Sequence, residues 1–255
     1  MPIDTDAVVE RYWADVQAGD YGPEWMVGQL DLEAALDVQL GILGRHLESG
    51  ETQAGWKVGL TSERARTMLG HDVRPYGYVL ASHCFTSPAH IDAADLRHGS
   101  IEPELCLRLG ADLAGPDPTR AEAEAAIAAV CAGYELNERR AASGKGDFPM
   151  MVADRLTQWG IVVGGGAPLA EIADLGAIEV TLERDGERLS HCVARDEVDD
   201  PVESLRRLCQ TLHAHGQHLR AGQHVITGAF SRFDLEAGHI YRATYSGVGV
   251  VEVHT

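Results

Sequence analysis

Ser100-Ile101-Glu102-Pro103-Glu104-Leu105-Cys106-Leu107-Arg108-Leu109 is the stretch on which the reading of this chain turns. Leu105, Leu107 and Leu109 recur at every second position, the period of a β-strand. A strand that turns those leucines to one side turns Glu102 and Glu104 together to the other. Two carboxylates side by side repel unless a positive group lies between them, and a divalent cation is one such group. An exposed, solvated strand face is the alternative. Pro103 cannot donate to a β-ladder and marks an edge or an irregular position.

Working outward, strand character recurs around Trp56 to Leu60, Ile161 to Val163, Val225 to Thr227 and Tyr241 to Val253. Ile178, Val180 and Leu182 alternate with polar residues, Asp185-Gly186 supplies a tight hairpin turn, and Leu189 and Val193 lead back out. Three helices are also marked. Asp31 caps a segment in which Leu36, Leu40, Leu43 and Leu47 form an apolar stripe, ended by Gly50. Thr119 and Glu122 form a capping box that opens an alanine-rich helix running to Cys131. Asp200-Pro201 starts a helix presenting Val202, Leu205, Leu208 and Leu212 on one side and stopping at Gly216. Strands in runs with segregated helices predict an α+β fold. Residues 1–50 are expected to form a helical N-terminal part and residues 51–255 a β-rich catalytic body, in one continuous domain. Ala141 to Asp147 reads as a mobile loop and Gly164-Gly165-Gly166 as a turn.

Composition narrows the function. The chain has 255 residues, 45% of them hydrophobic, and 21 Lys and Arg against 39 Asp and Glu give a formal charge of −18. That excess repels nucleic acid and anionic membranes. The N-terminus lacks the basic and apolar segments of a secretory signal, so a cytoplasmic location is expected. Five cysteines without CxxC spacing predict free thiols, with neither a disulfide framework nor a zinc knuckle.

Glu135, between Tyr134 and Leu136 just after the alanine-rich helix, is a carboxylate in apolar company and calls for a partner. With Glu102 and Glu104 it makes a trio of oxygen donors suited to a hard cation, Mg²⁺ or Mn²⁺, rather than zinc. Three protein ligands on an octahedral ion leave three positions open, room for a 2-oxo acid through two oxygens and for one water. Lys57, in Gly-Trp-Lys-Val-Gly-Leu-Thr-Ser over residues 55–62, is either a buried ammonium aimed inward or a lysine snorkelling from a strand end. His213, His215 and His218 fit a helix C-terminus better than a metal site. The glycine run lacks a dinucleotide fingerprint, Ser143-Gly144-Lys145-Gly146 lacks the spacing of a P-loop, and no G-x-S-x-G elbow is present.

Taken together, several stretches resemble the fumarylacetoacetate hydrolase superfamily, in its branch of 2-keto-4-pentenoate hydratases and 4-oxalocrotonate decarboxylases. They are GWKVGLTS with Lys57, IEPELCLRLG with Glu102 and Glu104, and YELNERR with Glu135, Glu138 and Arg140. Val152-Ala153-Asp154, the LRAGQHVITGAF stretch and the closing SGVGVVEV follow in the same order. The resemblance implies a rolled mixed β-sheet with flanking helices, homo-oligomerisation, and Mg²⁺ or Mn²⁺ on Glu102, Glu104 and Glu135. It also implies Lys57 as a catalytic residue, and Thr61, Ser62, Arg155, Thr157 and Thr227 as substrate contacts. The implied activity is that of a lyase of aromatic catabolism, hydrating or decarboxylating a small unsaturated 2-oxo acid through a metal-stabilised enolate.

The chain also departs from that branch. Pro75 stands before Tyr76 where the branch carries an acid, with Arg74 and Asp72 as nearby substitutes, and Arg155 replaces a neutral amide. These departures keep three alternatives open: a C–C bond hydrolase, a keto-enol tautomerase, and a non-catalytic subunit associated with a pathway enzyme.

Overall fold

The computed structural model of the protein describes residues 3–63, 66–67, 74–139 and 147–255. The chain opens with helices α1 (Thr5–Gln17) and α2 (Leu32–Glu48), followed by strands β1 (Gln53–Val58), β2 (Tyr76–Leu80), β3 (Cys84–Thr86), β4 (Ala89–His90) and β5 (Ser100–Leu109). Helix α3 (Arg120–Ala126) runs into β6 (Ile127–Asn137), and α4 (Phe148–Ala153) precedes β7 (Gln158–Ala167). Then come β8 (Glu179–Arg184), β9 (Glu187–Val193), α5 (Ala194–Glu197), α6 (Pro201–Ala214), β10 (His224–Ala229), β11 (Phe233–Asp234), β12 (Ile240–Tyr245) and β13 (Gly249–His254).

The strands form two sheets. The larger has the order β2-β1-β10-β5-β6-β7-β3, with β11 on the end of β5, and the smaller has the order β4-β13-β12-β8-β9. Parallel pairs β1–β10, β3–β7 and β4–β13 among antiparallel ones make both sheets mixed. The larger sheet curls strongly. Strand β1 lies three places from β6, about 14 Å along a flat sheet, yet Lys57 of β1 reaches Glu135 of β6 at 2.7 Å. Only a curved sheet brings those side chains together.

Helix α2 begins and ends where its caps predict: the Asp31 side chain accepts from Ala34 N, and Gly50 adopts φ +94°. Its Leu36 and Leu43 are buried, while Leu47 is 43% exposed because the last turn overhangs the core. The buried Gln39 amide of α2 donates to the carbonyls of Tyr76 and Val152, fastening the N-terminal helices to β2 and α4. One hydrophobic cluster runs from Val9 and Leu36 through Trp56 and Leu105 to Tyr241 and Val253. Helix α6 follows its predicted bounds, with Asp200 accepting from Val202 N and Glu203 N and all four stripe residues buried. The Asp185-Gly186 hairpin forms with both residues at positive φ, as a type I′ turn requires.

Three expectations need correction. The alanine-rich helix stops at Ala126, and the next residues are strand, with Val130 opposite Leu107 and Cys131 opposite Cys106. Alanine's helix preference is a weak prior, and ladder pairing along the whole length of β5 overrides it. Glu135 therefore stands within a strand, not after a helix. Gly164, Gly165 and Gly166 form no turn but lie within β7, where β13 crosses closely. A Cβ on Gly164 would lie 2.2 Å from Val250 O, so glycine is what lets the two sheets touch there. Pro103 takes the second of its two readings, an irregular position within a central strand: β10 shifts register between Ile226 and Ala229, opposite Glu104 to Cys106, and Phe230 N donates to Pro103 O at 3.0 Å. The predicted loop lies outside the described residues apart from Asp147, which caps α4.

Candidate metal centre

Strand pairing assembles the acids. Glu102 and Glu104 share a face of β5, and Glu102 stands directly opposite Glu135 of β6. Glu104 stands opposite Gly133, which brings no side chain into the space between the carboxylates. One oxygen from each of Glu102, Glu104 and Glu135 lies within 4.8 Å of the other two, and all three residues are buried. The shift in β10 also serves this cluster: Gly228, at φ +126°, donates its N–H to Glu104 Oε2 at 2.7 Å. A side chain on Gly228 would collide with Thr61 Oγ1.

Lys57 Nζ lies 2.7 Å from Glu135 Oε1 and 3.4 Å from the Leu156 carbonyl. That carbonyl belongs to a strained turn, since Arg155, Leu156 and Thr157 all take positive φ. Arg232 Nε approaches Glu102 Oε1 at 3.2 Å from the half-exposed rim. Three carboxylates thus face one buried ammonium and one rim guanidinium. Burial pushes the Glu102 carboxyl up to about 7, Glu135 adding to the rise while Arg232 and Lys57 oppose it. Burial pushes Glu104 well above the usual carboxylate range, reinforced by Glu135 and Glu102. Glu135 Oε1 accepts no hydrogen bond, its contact with Lys57 being an ion pair off the hydrogen-bonding direction. Clustered, under-satisfied carboxylate oxygens at this separation fit a hard divalent cation, which removes the repulsion and completes their coordination.

A cavity of about 280 Å³ opens onto the cluster. Thr61 and Ser62 line it, as do Lys57 and the three glutamates. The other three anticipated substrate contacts do not. Arg155 turns toward the N-terminal helices, its guanidinium 4.9 Å from the Tyr78 ring in a separate cleft beside Tyr12 and His46. Thr157 points at Asn137, its hydroxyl 3.5 Å from Oδ1. Thr227 is fully buried and donates to the Leu105 carbonyl, holding β10 to β5 beside the shift. The left-handed turn after Asp154 sends the Arg155 and Thr157 side chains elsewhere, a conformation no spacing rule anticipates.

Glu197, Arg232 and Gly228 also line the cavity and were not singled out from the sequence. Gly228 alone carried a local signal, a glycine directly after the predicted strand Val225 to Thr227. Of the possible replacements for the acid absent at Pro75, Asp72 lies outside the described residues, and Arg74 pairs with Asp199 at 2.9 Å. Arg140 and Ser143 to Gly146 also lie outside the described residues. His215 pairs with Asp37 at 3.3 Å, and among the described residues the glutamate trio is the one group able to hold a metal. A larger cleft, about 1000 Å³, runs beside α3 and the start of α6. Its cations are already paired, Arg120 with Glu124 and Asp200 and Arg195 with Asp174. All five cysteines are free, and no helix among the described residues is long and apolar enough to cross a membrane.

Comparison with known proteins adds four findings. The fumarylacetoacetate (FAA) hydrolase C-terminal family matches residues 61–254. A 4-oxalocrotonate decarboxylase of Pseudomonas putida is 28% identical over 218 residues, 85% of this chain and 83% of that one. A 2-keto-4-pentenoate hydratase of Burkholderia vietnamiensis is 31% identical over 204 residues, 80% of this chain and 78% of that one. Among solved structures, the 4-oxalocrotonate decarboxylase of Pseudomonas putida G7, complexed with magnesium and adipate, superposes with a TM-score of 0.84 at 26% identity. That match covers 98% of this chain and 95% of the other.

Proposed function

The chain belongs to the fumarylacetoacetate hydrolase family, and on that premise we propose that it is a Mg²⁺- or Mn²⁺-dependent lyase acting on a small unsaturated 2-oxo acid. The observation that carries the reading is the convergence of Glu102, Glu104 and Glu135 within 4.8 Å at the floor of a cavity. Relatives named as a decarboxylase and a hydratase, and a magnesium complex of one of them, support it.

Glu102, Glu104 and Glu135 would hold the cation, which would supply Lewis-acid charge to a bound 2-oxo acid. The Lys57 ammonium, kept in place by Glu135 and the Leu156 carbonyl, adds positive charge where oxyanion character develops. Hydroxyl groups of Thr61 and Ser62 on the cavity wall orient the substrate. Burial excludes water from around these groups and strengthens their electrostatic effect.

The test is turnover of 2-keto-4-pentenoate and 4-oxalocrotonate by the purified chain with Mg²⁺, followed by product analysis. Water addition without carbon loss identifies a hydratase, CO₂ release a decarboxylase, and two fragments a C–C hydrolase. Glu102→Ala, Glu135→Ala and chelator treatment are each expected to abolish turnover. Undiminished activity in metal-free buffer overturns the proposal.

A further inference from the structure

The cavity holds one carboxylate more than the trio needs. Glu197 closes the short helix α5 and lines the same cavity as Lys57 and the three glutamates. Among the described residues its carboxylate enters no hydrogen bond and no ion pair. Its backbone, by contrast, is fixed on both sides. Ala194 N donates to Ile178 O at 2.9 Å, Val198 N to Ala194 O at 3.0 Å, and Asp199 N to Thr61 O at 2.7 Å. The Asp199 side chain is clamped by Arg66 at 2.7 Å and Arg74 at 2.9 Å. A Cβ on Gly228 would stand 3.1 Å from Val198 Cγ1, so the segment packs directly on the glycine that holds Glu104. A rigid support thus holds an exposed carboxylate, unpaired among the described residues, on the lining of the cavity that contains the trio.

Among the described residues, the other polar groups of the cavity are poorly suited to moving a proton to carbon. Glu102, Glu104 and Glu135 converge on one another, and Lys57 is engaged by Glu135 and Leu156 O. Arg232 offers hydrogen-bond donors and no acceptor, and the hydroxyls of Thr61 and Ser62 are weak acids. Pro75, which backs the cavity wall by accepting from Gly59 N at 2.7 Å, offers no acidic side chain.

We propose that Glu197 is the acid–base catalyst of this site, carrying a proton between solvent and the carbon next to the keto group of the bound 2-oxo acid. This rests on the reading of the trio as a metal centre for 2-oxo acids. In the forward direction the Glu197 carboxylate takes the proton: the C–H bond breaks, its electron pair forms the new C=C bond, and the keto oxygen takes up the negative charge. In return the O–H bond of protonated Glu197 breaks, the C–H bond re-forms, and the charge goes back to the carboxylate. Between the two steps the acid exchanges its proton with water through the open mouth.

Proton exchange on 2-oxopentanoate, which has no alkene to hydrate, tests this in D₂O with Mn²⁺, read by loss of the proton signal beside the keto group. Mn²⁺ and oxalate affinities are measured in parallel. Glu197→Gln is expected to slow exchange by about 100-fold or more while both affinities stay unchanged, with Glu197→Asp falling between. Exchange at the wild-type rate in Glu197→Gln overturns the assignment. So does loss of Mn²⁺ or oxalate binding together with exchange, which would mark a structural role, and so does a wild-type chain that binds both ligands without exchanging. A wild-type chain that fails to bind Mn²⁺ overturns the metal reading instead.

Discussion

At the scale of single residues, the energetic conflict lies at Glu102. Its folded carboxyl titrates at about 7 against an ordinary 4.5, so between those values the folded metal-free chain binds the extra proton. Stability from this group therefore falls as pH rises through that window, because the unfolded state ionises first. Glu102→Gln is expected to stabilise the metal-free chain at about pH 8 and to abolish Mg²⁺ binding, as read by denaturant melts and calorimetry. Wild-type Mg²⁺ affinity is expected to rise across the same window, with proton release on binding. Lys57 makes the opposite kind of contribution. Lys57→Met removes a positive charge 2.7 Å from Glu135, so Mg²⁺ binds at least as tightly while turnover drops by about 100-fold or more. Weakened Mg²⁺ binding in that variant contradicts this account. The two carboxylates of β5 were legible as sharing a face because strand geometry is local. The outward turn of Arg155 was not, because it follows from three successive left-handed residues that the sequence does not flag.

At the scale of elements, caps and close contacts separate what is legible from what is not. The Thr119–Glu122 capping box forms as read, and Thr119→Ala is expected to cost about 1 kcal/mol in thermal or denaturant unfolding. Gly164→Ala puts a Cβ 2.2 Å from a backbone carbonyl that cannot swing aside, so a larger loss, on the order of 3 kcal/mol, is expected. A smaller effect for Gly164→Ala than for Thr119→Ala would mean that β7 and β13 are free to separate. The cap is visible in sequence because its partners are three residues apart. The crossing of β7 by β13 is invisible because Gly164 and Val250 meet only after both sheets form. The same reason explains why α3 ends at Ala126: the pairing that turns Ile127 to Asn137 into strand comes from β5, not from the run of alanines.

At the scale of the whole molecule, a cation that binds only the folded chain ties β5 and β6 together and deepens the folded state. Mg²⁺ at about a hundred times its dissociation constant is expected to add about 2.7 kcal/mol, a rise of roughly 5–10 °C in Tm by calorimetry, reversed by chelator. An unchanged Tm under saturating Mg²⁺ contradicts the trio's assignment. The sequence by itself determined the mixed helix-and-strand character, the caps of α2 and α6, the hairpin at Asp185-Gly186 and the shared face of Glu102 and Glu104. Each follows from interactions within a few residues. Only the tertiary structure decided that the sheet curls, carrying Lys57 across three strand positions to Glu135, and that Gly228, Glu197 and Arg232 meet around one cavity. Those contacts join residues as far as 167 positions apart in the chain, Thr61 and Gly228, and their geometry is set by sheet curvature and close packing, which no local pattern encodes.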